Sequence, residues 1–296
     1  MHIATLLHNP GAGEKSYTEA ELISKIEAGG FKCLYSSLDD DNWINFDPSS
    51  EFLIITGGDG TVRKVTEQLL LNNISSKYPL ALLPAGTANN IARTLNISDD
   101  AGEVIESWKR EKVKKFDFGR IDHIASTFFF LESIGFGVFP ELMQEMEKQD
   151  EQLKDSQEKS LNLALELLCN IVSSFEPFSC EIEMGEARHS GKYLLVEIMN
   201  TRSIGPNLFL SPHGDPGDGE FEVVLIPESQ KDKLLTYLTN KLRGLEQPDL
   251  FDVFKTKAVR IKCDQHLAHV DDELVEVDAT TEINIQLIEG AFGLLI

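Results

Sequence analysis

Three short segments rich in glycine, amide and hydroxyl residues are the parts of this sequence best suited to chemistry. Asn9 to Gly13, Gly57 to Thr61 and Gly86 to Asn90 each follow a short apolar run and precede a helical pattern. Glycine has no Cβ and accepts positive φ, so a ligand can approach the backbone of such a loop closely. The amino end of a helix carries about half a positive charge, which suits a phosphate group. The three loops therefore predict a phosphate-binding site.

Asp59, in the middle of the second loop, refines this prediction. A carboxylate next to bound phosphate is repulsive unless a divalent cation lies between the two groups. Carboxylate and phosphate oxygens are the ligands that Mg²⁺ prefers. The combination favours a nucleotide bound together with Mg²⁺.

The elements that must position these loops alternate between strand and helix. Apolar runs at 3–7, 31–35, 52–56 and 80–83 predict strands. The first helix is expected to begin at a capping box formed by Ser16 and Glu19 and to stop at Gly29. This rhythm predicts a parallel sheet covered on both faces, with the loops at the carboxyl ends of its strands.

The pattern changes near residue 116, where strand signals follow one another without a helix between them. Strands are predicted at 116–121, 126–134, 179–184, 192–199, 220–226, 258–263, 267–277 and 282–288. Helices are predicted at 161–175 and 229–243, and the polar stretch 144–159 is either a solvated helix or a connector. A second, antiparallel or mixed β region is therefore expected.

Composition limits the functions that are open to the chain. It has 296 residues, of which 42% are apolar, and this suits two folded domains with substantial cores. With 27 basic and 49 acidic residues its formal charge is -22, which excludes general nucleic-acid binding and disfavours long-range attraction to anionic membranes. No segment reads as a membrane span or a signal peptide, so a cytoplasmic protein is expected. The four cysteines are predicted to be reduced core residues, namely Cys33, Cys169, Cys180 and Cys263.

The motifs also carry a family resemblance. The order and spacing of N-P-x-[AS]-G, G-G-D-G-T and G-T-A-N resemble the diacylglycerol kinase catalytic superfamily, which includes soluble bacterial lipid kinases. Further along the chain, 115–119, 200–225 and 269–273 resemble the crossing into the family's second domain, its central loop and its D-G-E element. The resemblance covers nearly the whole chain.

The resemblance implies an α/β domain like that of NAD kinase and phosphofructokinase, followed by a β-sandwich. The first domain would comprise 1–122 with 282–296 returning to it, and the lipid-binding second domain would comprise 123–281. The implied activity is transfer of the γ-phosphoryl of ATP to the hydroxyl of diacylglycerol or a related lipid alcohol.

The resemblance also implies roles for individual residues. Glu273 would be the general base, and Asp59 would organise Mg²⁺ on the phosphates. A second, structural Mg²⁺ or Ca²⁺ would be held by Asp215, Asp218 and Glu220. The expected nucleotide-binding residues are Asn9, Pro10, Gly13, Ser36, Gly57, Gly58, Asp59, Gly60, Thr61, Arg63, Gly86, Thr87 and Asn89.

Three departures from the family pattern keep other functions open. Arg63 and Lys64 stand where the family usually has Asn-Glu, Asp272 replaces the glycine of D-G-E, and Asn90 replaces an aspartate. The alternatives are a NAD kinase-like enzyme and a nucleotide-binding protein without kinase activity. NAD kinases share G-G-D-G-T, but N-P-x-[AS]-G and G-T-A-N are not expected in them. The NAD kinase alternative is therefore less favoured than the lipid kinase.

Smaller features carry weaker expectations. A zinc site at His266 and His269 is disfavoured because no third ligand is evident. The basic cluster comprising Lys109, Arg110, Lys112, Lys114 and Lys115 is the best candidate for a transient contact with lipid headgroups. The resemblance also allows a homodimer formed through sheet edges.

Overall fold

The structure is a computed structural model that describes residues 2–11, 17–149, 156–245 and 250–296. The chain divides into two compact units. One comprises Met1–Phe116 with Glu289–Ile296, and the other comprises Asp117–Ile288. Two strands, β5 (Val113–Asp122) and β17 (Ile283–Leu295), contribute residues to both units.

The first unit is an α/β domain built on a parallel sheet. Its other elements are β1 (Ile3–His8), α1 (Glu19–Ala28), β2 (Lys32–Ser37), β3 (Phe52–Gly57), α2 (Asp59–Leu71), β4 (Leu80–Pro84), α3 (Asn90–Thr94) and α4 (Ala101–Trp108). The strand order is β17-β4-β3-β1-β2, with parallel pairing between neighbours. The predicted alternation of strands and helices is confirmed.

Apolar residues on both faces of the central strands explain this layering. Every residue of β3 is buried, as expected for a parallel strand covered on both sides. On one face, Leu6 and Ile54 join Trp108 of α4 in a single apolar core with α1. Leu7 and Leu53 point the other way and are also fully buried.

The start of α1 differs from the prediction. The capping box is formed by Thr18 and Glu21, whose side chain accepts from the Thr18 backbone N–H at 2.8 Å. The predicted cap, Ser16, lies outside the described residues, and Glu19 is the first residue of the helix. Both pairs have the same spacing, so sequence spacing alone could not choose between them. The helix is capped at its carboxyl end by Gly29, as predicted.

The second unit is a β-sandwich with helices packed on it. Its elements, besides its share of β5 and β17, are β6 (Phe129–Phe130), β7 (Ser133–Gly137), α5 (Val138–Glu147), α6 (Gln157–Ser174), β8 (Phe178–Met184), β9 (Ala187–Met199), β10 (Ser203–Ile204), β11 (Leu208–Phe209), β12 (Phe221–Pro227), α7 (Lys231–Leu242), β13 (Val253–Thr256), β14 (Ala258–Cys263), β15 (Leu267–Val270) and β16 (Glu273–Glu276). The long strand β9 pairs with β8 along its first half and with β7 and β12 along its second half. All these pairings are antiparallel.

Two predicted strands are each divided in the structure. The predicted strand 126–134 becomes β6 and β7, and the predicted strand 267–277 becomes the hairpin β15–β16. Asp271 adopts a φ of 53° at the hairpin turn, a conformation that aspartate tolerates better than most residues. Helix α5 was not predicted, and the polar stretch 144–159 contains the end of α5 and the start of α6.

The prediction that all four cysteines are reduced core residues is wrong. Cys180 and Cys263 form a disulfide, because β8 and β14 pair in a register that places these two residues opposite each other. They are 83 residues apart in sequence, so the prediction depended on strand register that spacing does not reveal. Cys33 and Cys169 are free thiols and only partly buried. Among the described residues, no helix is both long and apolar enough to cross a bilayer.

Candidate functional site

The second and third predicted loops lie against each other at the carboxyl edge of the parallel sheet. The Ala85 N–H donates to the Gly57 carbonyl at 3.0 Å, which continues the pairing of β3 with β4 into the loops. A Cβ added to Gly58 would lie 2.9 Å from the Gly86 Cα, and one added to Gly86 would collide with Gly58. The two glycines are therefore required by the contact between the loops themselves.

Asn89 shapes the loop after β4. Its side chain accepts from the Gly86 N–H at 3.0 Å and donates to the Gly86 carbonyl at 2.9 Å, and its φ is 51°. This closed ring of two hydrogen bonds holds the turn that leads into α3. Thr87, inside the same turn, is exposed.

Asp59 links the starts of two helices. It is the first residue of α2, and its two carboxylate oxygens accept from the Asn90 N–H at 2.8 Å and the Ile91 N–H at 3.1 Å at the start of α3. A carboxylate at this position satisfies amides that have no partner within the helix and interacts favourably with the helix dipole. The sequence predicts a metal-organising role for Asp59, and the structure adds a structural role that the sequence did not indicate.

The amino end of α2 remains suited to an anionic ligand. Its N-cap residue, Gly58, supplies no side-chain hydrogen bond to the first turn. The first-turn amides of a 13-residue helix then present partial positive charge beside the Gly58–Gly86 contact. The start of α2 could therefore hold a phosphate group.

Asn9 joins the first loop to the second. Its side-chain amide donates to the Thr61 hydroxyl at 3.1 Å, and its backbone N–H donates to the Thr56 carbonyl at 3.4 Å. Pro10 is exposed next to it, whereas Gly13 lies outside the described residues. The predicted residues Asn9 and Thr61 are thus in direct contact.

Two residues near the end of β1 extend this edge. The His8 ring nitrogen Nδ1 lies 3.1 Å from the Tyr35 hydroxyl, and burial lowers the pKa of His8 despite the nearby Glu19 and Asp39. Sequence reasoning missed His8, since a single histidine in a strand carries no spacing signal. The predicted residue Ser36 donates to the Trp43 carbonyl at 3.4 Å from β2, which pairs with β1.

The unusual cations after the second loop face different surroundings. Arg63 is buried on α2, with 6% of its surface exposed. Lys64 is exposed and its ammonium donates to the Leu38 carbonyl at 3.2 Å. The Leu38 N–H in turn donates to the His8 carbonyl at 2.8 Å, so this bond joins α2 to the segment that follows β2.

Glu273 lies in the second unit as the first residue of β16, and its side chain is exposed. The preceding turn is held firmly, because the Asp271 carboxylate accepts from the N–H groups of residues 131–133 at distances from 2.7 to 3.2 Å. The Asp271 N–H in turn donates to the Ser133 carbonyl at 2.8 Å. Asp271, with its positive φ and these hydrogen bonds, therefore forms the turn that precedes Glu273.

His269 belongs to a buried pair next to this turn. Its Nε2 lies 2.7 Å from Glu197 Oε1 and its Nδ1 lies 3.1 Å from the Asp271 carbonyl. Burial raises the pKa of Glu197. Burial lowers the pKa of His269, but the Glu197 carboxylate raises it, and the net shift of the His269 pKa is upward. The sequence suggested His269 only as a weak zinc ligand with His266, and it is engaged instead by Glu197.

Two of the three predicted metal-binding residues, Asp218 and Glu220, lie near the ammonium of Lys255. The Lys255 ammonium lies 2.7 Å from Asp218 Oδ2, 3.4 Å from Glu222 Oε1 and 3.8 Å from Glu220 Oε2. Asp215 accepts from a backbone N–H of its own turn. No group of three or more His, Cys, Asp or Glu side chains within the described ranges is arranged to hold a metal ion. As they stand, these residues do not fit a resident divalent cation, because an ammonium already takes the central place.

The structure therefore brings together one set of the predicted residues. Asn9, Thr61, Gly58, Gly86 and Asp59 converge at one edge of the sheet in the first unit. Glu273 and the residues around Lys255 belong to the second unit.

Comparisons with known proteins agree with this fold. Residues 4–121 match the family described as the diacylglycerol kinase catalytic domain, and residues 149–292 match the YegS C-terminal NAD kinase beta sandwich-like domain. The chain therefore carries a diacylglycerol kinase catalytic domain followed by a YegS-type C-terminal domain.

Individual relatives have low sequence identity to this chain, but the matched regions cover most of its length. The chain is 24% identical over 271 residues to a diacylglycerol kinase of Bacillus subtilis (strain 168), covering 88% of this chain and 86% of the relative. It is also 24% identical over 221 residues to a diacylglycerol kinase of Mycobacterium tuberculosis (strain CDC 1551 / Oshkosh), covering 72% of this chain and 67% of the relative. A crystal structure of a diacylglycerol kinase from Bacillus anthracis strain Sterne superposes with a TM-score of 0.72 at 21% identity, over 99% of this chain and 96% of the other. That last likeness shows a shared fold.

Proposed function

We propose that this chain is an ATP- and Mg²⁺-dependent lipid kinase that phosphorylates the hydroxyl of diacylglycerol or a related lipid alcohol. The observation that carries the proposal is the convergence of Asn9, Thr61 and the Gly58–Gly86 contact at the uncapped start of α2. The match of residues 4–121 to the diacylglycerol kinase catalytic domain supports the reaction class.

In this proposal the first unit binds the nucleotide. The first-turn amides of α2 and the loop of Gly86 to Asn89 hold the phosphates. The hydrogen bond from Asn9 to Thr61 holds the first loop against the second. Asp59 would help to hold a Mg²⁺ ion bound with ATP, which would offset the charge of the phosphates beside this carboxylate. Asp59 has a second role, because its carboxylate accepts hydrogen bonds from two backbone amides of α3. These bonds hold the start of α2 against the loop after β4.

The second unit supplies the general base and the acceptor site. Glu273 takes the proton from the acceptor hydroxyl as the oxygen of that hydroxyl bonds to the γ-phosphorus, while the bond from the γ-phosphorus to the bridging oxygen breaks and ADP leaves. The backbone of the hairpin is fixed by Asp271, so the position of the Glu273 carboxylate does not depend on a flexible glycine turn.

The decisive experiment uses two exposed glutamates of the same short strand. The protein, Glu273→Gln and Glu276→Gln are incubated with labelled ATP, Mg²⁺ and a mixed lipid extract, and phosphorylated lipids are identified by mass spectrometry. Loss of the base should lower turnover by about 10²–10⁴-fold in Glu273→Gln. Glu276→Gln makes the same change of charge three residues further along β16 and should retain activity. Absence of any lipid product from the unchanged protein, with ATP bound normally, would refute the proposal.

The same experiment separates the alternative functions. Phosphorylation of added NAD with no lipid turnover would identify a NAD kinase-like enzyme. ATP binding that is equal in all three proteins, without transfer to any acceptor, would identify a nucleotide-binding protein without kinase activity.

A local membrane contact also forms part of the proposal. Val113 is 49% exposed between Lys112 and Lys114, so an apolar side chain is flanked by cations at the start of β5. Such a pairing suits the boundary between headgroups and acyl chains. Lys109 is less available, since its ammonium lies 2.6 Å from Glu106 Oε2. The homodimer remains a prediction.

A further inference from the structure

The surroundings of Lys255 resemble a cation-binding site more than an ordinary surface ion pair. Lys255 lies directly opposite Glu222 in the pairing of β13 with β12. Its ammonium is within 3.8 Å of carboxylate oxygens from three residues, Asp218, Glu220 and Glu222. Carboxylate oxygens are also the ligands that Ca²⁺ and Mg²⁺ prefer, so the ammonium takes a place that suits a cation.

Glu222 shows that the cluster needs a cation. It is 1% exposed, and neither of its carboxylate oxygens accepts a hydrogen bond of good geometry. A buried carboxylate without such partners is costly unless a charge of opposite sign lies near it. The Lys255 ammonium, 3.4 Å away, supplies that charge.

The turn beside the cluster is held by protein groups alone. The Asp218 carboxylate accepts from the Glu220 N–H at 3.0 Å through its other oxygen, Oδ1. The Asp117 carboxylate accepts from the Gly219 N–H at 3.0 Å, and the Asp117 N–H donates to the Pro216 carbonyl at 2.6 Å. This loop conformation therefore has its own hydrogen bonds and does not need a metal ion to form.

We propose that the Lys255 ammonium is the resident counter-cation of this cluster and stands in for a structural divalent ion, so that the second unit is stable without a metal. Removal of the ammonium should convert Asp218, Glu220 and Glu222 into a divalent-cation site. The proposal is independent of the kinase activity, since none of these residues belongs to the phosphate-binding loops or to the Glu273 hairpin.

The test compares thermal unfolding of the full chain with chelator and with millimolar Ca²⁺ or Mg²⁺. Calorimetry is the suitable method, because both tryptophans, Trp43 and Trp108, lie in the first unit and their fluorescence would not report on the second. The unchanged protein should show a cation-dependent change in Tm of less than about 1 °C. Lys255→Met should unfold at lower temperature with chelator and recover by about 5 °C when the cation is added.

Two further variants make the result specific. Lys257→Met removes the same charge two residues along the chain and should show no cation dependence. Asp218→Asn combined with Lys255→Met should lose the recovery, because one of the new ligands is then neutral. A Lys255→Met protein that is insensitive to both cations, or an unchanged protein stabilised as much as that variant, would overturn the proposal.

Direct titration covers the case in which Lys255→Met does not fold. Calorimetric titration of the unchanged protein with Ca²⁺ should give no stoichiometric binding that depends on Asp218. Binding of one Ca²⁺ that is abolished in Asp218→Asn would show that the ammonium does not fill the site, and the proposal would be wrong.

Discussion

Replacing Glu222 by glutamine should change how the stability of the protein depends on pH. Glu222 is buried on β12, and burial raises its pKa from 4.5 to about 7, although Lys255 opposes the shift. Because the unfolded chain ionises near 4.5 and the folded chain only near 7, the favourable contribution of the protonated group is complete below about pH 4.5 and is lost as the pH rises through 7. A displacement of this size corresponds to about 3 kcal/mol as an upper value.

The measurement is the difference in Tm between Glu222→Gln and the unchanged protein at several pH values. Glutamine does not ionise, so the variant should gain on the unchanged protein between about pH 5 and pH 8.5, by up to about 6–10 °C in relative Tm. Any constant cost of burying the amide cancels in this comparison. Glu220→Gln is the control variant, since Glu220 is 41% exposed and its replacement makes the same change of charge next to Lys255. Two parallel curves of Tm against pH for Glu222→Gln and the unchanged protein would refute the reasoning.

Three other predictions concern the loops and the disulfide. Asp59→Ala should destabilise the first unit by about 1–3 kcal/mol, measured by tryptophan fluorescence during unfolding, because the start of α3 loses the acceptor for two amides; an unchanged midpoint would contradict it. Gly86→Ala should weaken ATP binding and lower stability by about 1–3 kcal/mol, since its Cβ meets the Gly58 backbone, whereas Gly191→Ala, with 3.8 Å to its nearest neighbour, should do neither. Alkylation of the denatured, unreduced protein should label two cysteines, and reduction should raise the number to four; four before reduction would show that the disulfide is absent.

The first unit was largely predictable because its signals are local. Each strand is a short apolar run followed at once by a glycine-bearing turn, and the parallel arrangement brings the turns to one edge without further information. The contact of Asn9 with Thr61 follows from that topology alone. The hydrogen bonds from the Asn90 and Ile91 amides to Asp59 could not be predicted from the topology, because they depend on how closely two loops pack.

The second unit was less predictable because its key contacts depend on strand register. Lys255 meets Asp218 across 37 residues of sequence, and Cys180 meets Cys263 across 83. A shift of either strand by one residue would turn these side chains to opposite faces, and periodicity does not fix the register. The hairpin turn at Asp271 was hidden by the absence of glycine, which is the usual signal for a positive φ.

The return of β17 to the first unit has a consequence for biosynthesis. Leu294 pairs with Leu80, so the edge of the parallel sheet at β4 is covered by residues made more than 200 positions later. While the chain is being synthesised, β4 presents an unpaired edge throughout translation of the second unit, and such edges favour association with other chains. An N-terminal fragment ending at Phe116 would keep this edge permanently and should need Glu289–Ile296, supplied on the same chain, to remain monodisperse.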